Sequence, residues 1–322
     1  MTSTFYMSHT PVLLEEVIKY LDPKPDENFI DGTLGEGGHS KEILKRTSPA
    51  GKLLGIDQDG EAIKIAGENL KEFGERVLLV QDNFANLKNI FAERGEKIGK
   101  VKGVLLDLGF SSSQMEKSGR GFSFERDEPL IMTLCWPIAP GQITAADIVN
   151  SYSEKELEKI FKEYGEERLA RVIAQRIVLR RKSEKILRTS QLSEIAAGAY
   201  KKFYGNKTWR TRPATKIFMA LRIAVNSELE NLEKALPQAL EILPRGGKLA
   251  AVSFQSLEDR IVKIFFRRES RDCVCEKILL ECACRHQKTL KIITKKPIIP
   301  SLEEIEKNPK ARSAKLRVAE KI

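Results

Sequence analysis

The chain has 322 residues, 41% of them hydrophobic and 31% charged, with 21 Gly and 13 Pro. That leaves room for one large domain or two ordinary ones, and the composition excludes collagen-like, low-complexity and largely disordered chains. Lys and Arg number 55 against 45 Asp and Glu, a formal net charge of +10, which points to a polyanionic partner without naming one.

The opening MTSTFYMSHTPVLLEEV has no basic stretch followed by an apolar one, and no run approaches the roughly 18 apolar residues of a membrane span. Five cysteines, four of them crowded between 273 and 284, do not make the spaced framework of a disulfide-stapled secreted domain. A reduced, cytoplasmic location with no membrane association is the expectation.

Through the first 110 residues short apolar runs alternate with amphipathic stretches. FIDGTLGEGG, KLLGIDQD, RVLLVQDNF and VKGVLLDLGF read as buried parallel strands, while HSKEILKR, EAIKIAGENLKEF and ANLKNIFAERG space their apolar residues as helices do. Repeated strand–helix units predict an α/β fold with a doubly wound, mostly parallel sheet. The first strand ends at Asp31, and Gly32, Gly35, Gly37 and Gly38 precede a helix, as needed where a tight turn lets a ligand lie against bare backbone. The second ends in Asp57, a carboxylate able to accept both hydroxyls of a ribose. After the third, QDNF sets an acid–amide pair and Phe84 where an adenine can lie between an aromatic face and a polar edge. The fourth puts Asp107 at the carboxyl end of the sheet, where ligands of open α/β folds bind. Together these strand ends describe a nucleoside pocket. The loop spacing D-G-x-x-G-x-G-G departs from the dinucleotide fingerprint G-x-G-x-x-G, and no later His or Tyr/Lys pair suggests hydride transfer.

From about Ser112 the pattern turns helical, with SEKELEKIFKEYGEERLARVIAQRIVLRR, then TSQLSEIAAGAYKKF and the turn YGNKTWRTRP. Strand signals resume after a long helix from about Ala214, in LAAVSF and KTLKIITKKPI. The expected organisation is a first part of the sheet domain at 1–111, an inserted helical domain at 112–213, the second part at 214–300, and a basic tail laid over the surface at 301–322. Charge follows this division. Arg168–Lys216 carries +12 and Arg285–Ile322 +7, leaving −9 for everything else, the footprint of a protein that docks part of itself on a phosphate backbone.

HTPVLLEEV (9–17), IDGTLGEGGHS (30–40), GIDQD (55–59), DNF (82–84), LLDLGFSSSQ (105–114), RGFSF (120–124), YGEER (164–168), PATK (213–216), ALRIAVNSEL (220–229), SFQSLEDRIVK (253–263) and NPKARSAKLRVAE (308–320) resemble, in order and spacing, the RsmH (MraW) family. The resemblance runs nearly end to end. It implies a class I, Rossmann-like methyltransferase with a helical insertion that helps hold RNA, using S-adenosyl-L-methionine to methylate N4 of a cytidine in small-subunit (16S) ribosomal RNA. Carried onto matching positions, it implies Gly37, Gly38 and His39 at the methionine end of the cofactor, Asp57 on the ribose, Phe84 by the adenine, and Asp107 with Gln114 near the transferred methyl. The partner implied is ribosomal RNA or the small subunit, and the sequence leaves a homodimer open. In the insertion, Arg176, Arg180, Arg181, Lys182, Lys201, Lys202, Lys207, Trp209, Arg210 and Arg212 are the candidate RNA contacts, with Trp209 placed to stack on a base.

The departures from the family pattern fall on the target side. Ile131, Thr133 and Cys135 stand where two acids and an arginine are usual, Met219 replaces a glutamine, Gln255 a histidine, and Arg212 a common histidine. Three readings stay open: the same reaction with a rebuilt pocket, a changed RNA target, or an RNA-binding, ribosome-assembly factor without turnover. An exocyclic cytosine amine is a poor nucleophile, so the chemistry needs an acceptor that aligns its N–H; Asp107 is the expected one. CVCEKILLECAC is compatible with a hairpin presenting thiolates to zinc, but nothing else in the chemistry requires a metal, and none is assigned.

Overall fold

The computed structural model describes residues 11–109, 114–115, 118–205, 212–275 and 283–322. The chain forms two compact units, Met1–Gly109 with Leu229–Ile322, and Phe110–Glu228. In chain order the elements are α1 (Leu14–Leu21), β1 (Asn28–Asp31), α2 (Gly38–Arg46), β2 (Leu53–Asp57), α3 (Gly60–Asn69), β3 (Val77–Gln81), α4 (Leu87–Ile98) and β4 (Val101–Asp107). There follow α5 (Ala145–Ser151), α6 (Glu154–Glu163), α7 (Ala170–Arg180), α8 (Thr189–Tyr204) and α9 (Thr215–Asn226). Last come α10 (Glu228–Ile242), β5 (Lys248–Ser253), α11 (Ser256–Glu269), β6 (Leu290–Ile292), α12 (Leu302–Lys307) and β7 (Lys315–Lys321).

The strands make one sheet in the order β3-β2-β1-β4-β5-β7-β6. The first five neighbours pair in parallel, while β7 runs antiparallel to both β5 and β6. Successive residues serve opposite faces, as the period-two pleat requires. Phe29, Leu53 and Leu105 pack with Val17, Ile18, Leu21 and Ile43 on one side; Ile30, Leu54 and Leu106 pack with Leu87, Ile90, Leu236 and Phe266 on the other. Helices cover both faces, which is why these strands read as unbroken apolar runs and not as alternation. The expected doubly wound α/β sheet is therefore present.

The second unit is helical, built on Leu157, Phe161, Ile173, Ile177, Leu192, Ala196, Ile217 and Leu221. Capping boxes Thr144/Asp147 and Ser153/Glu156 start α5 and α6, each satisfying backbone donors that would otherwise lack partners.

Two expectations about the ends of the insertion are corrected. The residues from Ala214 to Glu228 were expected to open the second part of the sheet domain, but α9 packs on α5 and α6 and the unit runs to Glu228; its buried Ile217, Phe218, Ala220 and Leu221 complete the helical core. The stretch 301–322 was expected to be a surface tail. Its last part is instead β7, inserted between β5 and β6 with Leu316, Arg317, Val318 and Ala319 buried.

Candidate functional site

The register of the sheet shapes the site. Asp31, the last residue of β1, lies opposite Gly55 of β2 and Leu105 of β4. Both neighbours run on beyond that level, to Asp57 and to Asp107. The glycine loop therefore leaves β1 between two projecting strand ends, each tipped by an acid. Gly37 caps α2 at φ 82°, with no side chain capping the helix, so a conformation natural to glycine presents the backbone donors of the first turn. Gly35, at φ +52°, has only the Thr33 carbonyl oxygen, at 4.0 Å, near the place where a Cβ would stand.

Hydrogen bonds fix the loop to the acids. Asp57 accepts the Gly35 N–H on Oδ2 at 2.8 Å and the Asp59 N–H on Oδ1 at 2.9 Å. Burial pushes its carboxyl up to about 6, with the charges of Asp59 and Asp31 adding to the rise, although the two N–H groups oppose it. Asp31 is buried beneath the loop, accepting Ser40 Oγ at 2.7 Å and the Thr33 N–H at 3.1 Å; burial raises it too, against the pull of Ser40 and His39. Thr33 Oγ1 accepts the Asp107 N–H at 2.6 Å, tying β4 to the loop. Asp31 thus acts as the bracket of the site and not as a ligand contact.

His39 and Asp107 are different in kind. His39 is 5% exposed, and its Nε2 stands 3.4 Å from Asp107 Oδ2, yet neither ring nitrogen makes a hydrogen bond, and Asp107 Oδ1 has none either. The 3.4 Å approach is too poorly directed to satisfy the ring. Buried polar atoms of native proteins are rarely left so, and three of them at one strand end indicate a place built for a polar ligand. Phe84 is half-buried, its Cβ 3.4 Å from the Cβ position at Gly32, which sets the ring beside the start of the loop. Asn83, before it, caps the turn by accepting the Ala85 N–H at 2.9 Å. Within the sheet unit the structure thus brings together Gly37, Gly38, His39, Asp57, Phe84 and Asp107. Gln114 is buried in the other unit.

In that unit Arg176, Arg180, Lys182 and Lys202 line one groove of about 820 Å³ between α7 and α8, with Leu179 exposed on its wall. Other candidates are committed elsewhere. Arg181 donates to the Val149 carbonyl at 2.8 Å, and Arg212 pairs with Glu125 at 2.6 Å over the ring of Phe124. Arg180 also pairs with Glu184 at 2.6 Å. Lys201 is exposed but outside the groove lining. Lys207, Trp209 and Arg210 lie outside the described residues.

Several quoted motifs are structural. In ALRIAVNSEL, Arg222 forms a bidentate pair with Glu228 at 2.7 and 2.8 Å, and Asn226 accepts the Leu134 N–H at 2.7 Å while donating to the Met132 carbonyl at 2.8 Å. That amide pins the backbone of the altered PLIMTLCWP segment, where Thr133 is buried and bonded to Gln142 and the Cys135 carbonyl. In YGEER, buried Glu167 accepts the Tyr200 hydroxyl at 2.6 Å. Gln255 caps α11 through Glu258, and Asp259 pairs with Arg317 at 2.6 Å. Apart from the Gln255/Glu258 capping box at the start of α11 and the Thr133 hydroxyl on the Cys135 carbonyl, these partnerships have no signature in local spacing.

A model of the MraW methylase family matches residues 6–322. The chain is 47% identical over 314 residues to the ribosomal RNA small subunit methyltransferase H of Heliobacterium modesticaldum, covering 98% of each. It is 48% identical over 315 residues to the protein of the same name from Geobacter sulfurreducens, covering 98% of this chain and 99% of that one. Among solved structures, an rRNA methylase from Streptococcus thermophilus aligns over 98% of this chain and 99% of its own at 12% identity and a TM-score of 0.43.

Proposed function

The chain belongs to the MraW methylase family, and on that premise we propose that it transfers a methyl group from S-adenosylmethionine to N4 of a cytidine in small-subunit ribosomal RNA. The observation that carries the reading is the set of unpartnered polar atoms on His39, in the first turn of α2 beyond the glycine loop, and on Asp107, at the end of β4. The residues fit the cofactor. Asp57 offers a carboxylate to a ribose, the loop from Gly35 to the α2 N-terminus at Gly37 offers bare backbone to the methionine portion, and Phe84 offers a face to the adenine.

When bound, the cofactor supplies a methyl activated by its sulfonium. The chain's task is to align the acceptor amine, whose lone pair is delocalised into the cytosine ring. Asp107 Oδ1 accepts one amine N–H and so turns the nitrogen towards the methyl, while His39, 3.4 Å from Oδ2, restricts the carboxylate. Fixing that geometry before reaction is worth more than a strong base acting before transfer. The groove lined by Arg176, Arg180, Lys182 and Lys202 holds the RNA backbone so that an unstacked cytidine can be presented.

The test is incubation with labelled S-adenosylmethionine and small subunits from cells lacking the family enzyme, followed by mapping of the modified nucleoside. Label at N4 of one cytidine is expected. Cofactor binding with no label in RNA would instead identify an RNA-binding protein, the outcome to which the altered positions Ile131, Thr133, Cys135 and Gln255 would then point. Asp107→Asn should lower kcat by about a hundredfold; full turnover with undiminished cofactor affinity would remove Asp107 from its role.

A further inference from the structure

Beyond α11 the chain carries Cys273 and Cys275, and Cys284 precedes β6. The cysteine spacing by itself assigns no metal, and methyl transfer requires none. The geometry argues otherwise. The sulfur atoms of Cys273, Cys275 and Cys284 all lie within 4.8 Å of one another, and those of Cys273 and Cys284 are 3.8 Å apart. Sulfurs bound tetrahedrally to zinc at about 2.3 Å stand about 3.8 Å from each other. Two backbone donors also face the cluster: the Val274 N–H meets Cys284 Sγ and the Cys275 N–H meets Cys273 Sγ, each at 3.4 Å. Such donors stabilise charge on a metal-bound sulfur, as outer partners do in metal sites generally.

We infer that Cys273, Cys275 and Cys284 bind a zinc ion as thiolates. Each thiol gives its proton to solvent as its sulfur–zinc bond forms, and no electron changes hands, so loading releases protons and tightens with pH. Zinc suits the donor set because soft thiolates select it over the hard divalent cations, and three sulfurs this close leave the fourth position of a tetrahedron to a further ligand. The sequence holds a further cysteine, Cys282, outside the described residues. The ion's role is local. The base of this excursion is already clamped by the Thr289 N–H to the Glu269 carbonyl at 2.8 Å, by Thr289 Oγ1 to Glu269 Oε2 at 2.8 Å, and by a His286 ring nitrogen 3.1 Å from the Arg268 carbonyl. A metal beyond that clamp ties Cys273 and Cys275, which follow α11, to Cys284, which precedes β6.

The full-length protein, purified reduced and without chelator, should carry one equivalent of zinc by elemental analysis. After metal removal, Co²⁺ titration should give the thiolate charge-transfer and tetrahedral d–d absorption bands, which Zn²⁺ then abolishes. Cys273→Ser and Cys284→Ser should each weaken zinc binding at least tenfold while leaving S-adenosylmethionine affinity unchanged. The wild-type titration does not depend on whether the variants fold. Absence of the cobalt bands, zinc affinity weaker than about micromolar, or recovery of Cys273 and Cys284 as a disulfide would overturn the inference.

Discussion

The carboxyl of Asp57 is held at about 6 chiefly by burial, even though the Gly35 and Asp59 N–H groups favour its charged form. If Asp57 takes the ribose diol as proposed, its charged form accepts both hydroxyls, and protonation competes with cofactor binding. Calorimetric titration with S-adenosylmethionine should give a dissociation constant that is flat above about pH 6 and climbs towards tenfold per unit below it. The same group acts in the opposite sense on folding. Its folded value lies above the unfolded one, so its contribution to stability is complete below the ordinary carboxylate range and is lost as pH rises through about 6. The ligand-free protein should therefore not lose stability through Asp57 on mild acidification, whereas cofactor affinity should; parallel loss of both in melting and binding curves would assign the titration to another group. At this scale much of the site was legible, because Asp57 and Asp107 each end an apolar run and the glycines announce the turn. His39 was recognisable only through the family pattern. Its orphaned nitrogens arise from burial against β4, a contact made between residues far apart in the chain.

At the scale of elements, the C-terminal strand was the main surprise. KLRVAEK carries so much charge that it reads as a surface segment, yet β7 is an interior strand of the sheet, with β5 and β6 on either side. What permits this is Asp259 on α11, which receives Arg317 at 2.6 Å and Lys315 at 3.4 Å. Burial pushes the Asp259 carboxyl up, but these two cations outweigh it and hold it below its ordinary value. Its stabilising contribution is thus present above the ordinary carboxylate range and lost only as pH falls through the lowered value. Asp259→Ala would leave Arg317 buried without its anion and should cost on the order of 3 kcal/mol, while the double replacement Asp259→Leu with Arg317→Met should recover most of it. Denaturant melts of the two proteins decide the matter; equal destabilisation by both would mean that packing, not the ion pair, holds β7. The pairing partner lies in a different element, so no reading of the tail by itself could have found it. The same applies to α9, whose apolar face fits either a sheet or a helical core until α5 and α6 are seen beneath it.

For the molecule as a whole, the tail's charge no longer counts as a free basic patch once Arg317 and Lys315 are paired and Lys321 donates to the Leu240 carbonyl at 2.7 Å. The unit Phe110–Glu228 holds 21 Lys and Arg against 14 Asp and Glu, a net +7, and that excess is itself uneven. Residues 110–167 are acidic, and the positive charge is gathered on α7, α8 and the segments beside them. Polyanion binding should therefore depend on the α7–α8 groove and hardly at all on β7. If Arg176, Arg180, Lys182 and Lys202 each meet one phosphate, the logarithm of the RNA association constant should fall with the logarithm of salt concentration with a slope of about −3, using the value for single strands. Replacing Arg176 and Lys202 by Gln should reduce that slope by about half, whereas Lys310→Gln and Arg312→Gln near the C-terminus should leave it alone. Filter binding of a small-subunit RNA fragment between 50 and 300 mM salt, ~0.8 decades of concentration, resolves such a difference. A flat salt dependence would remove the groove from RNA binding, and an equal loss from the C-terminal pair would return the tail to the interface.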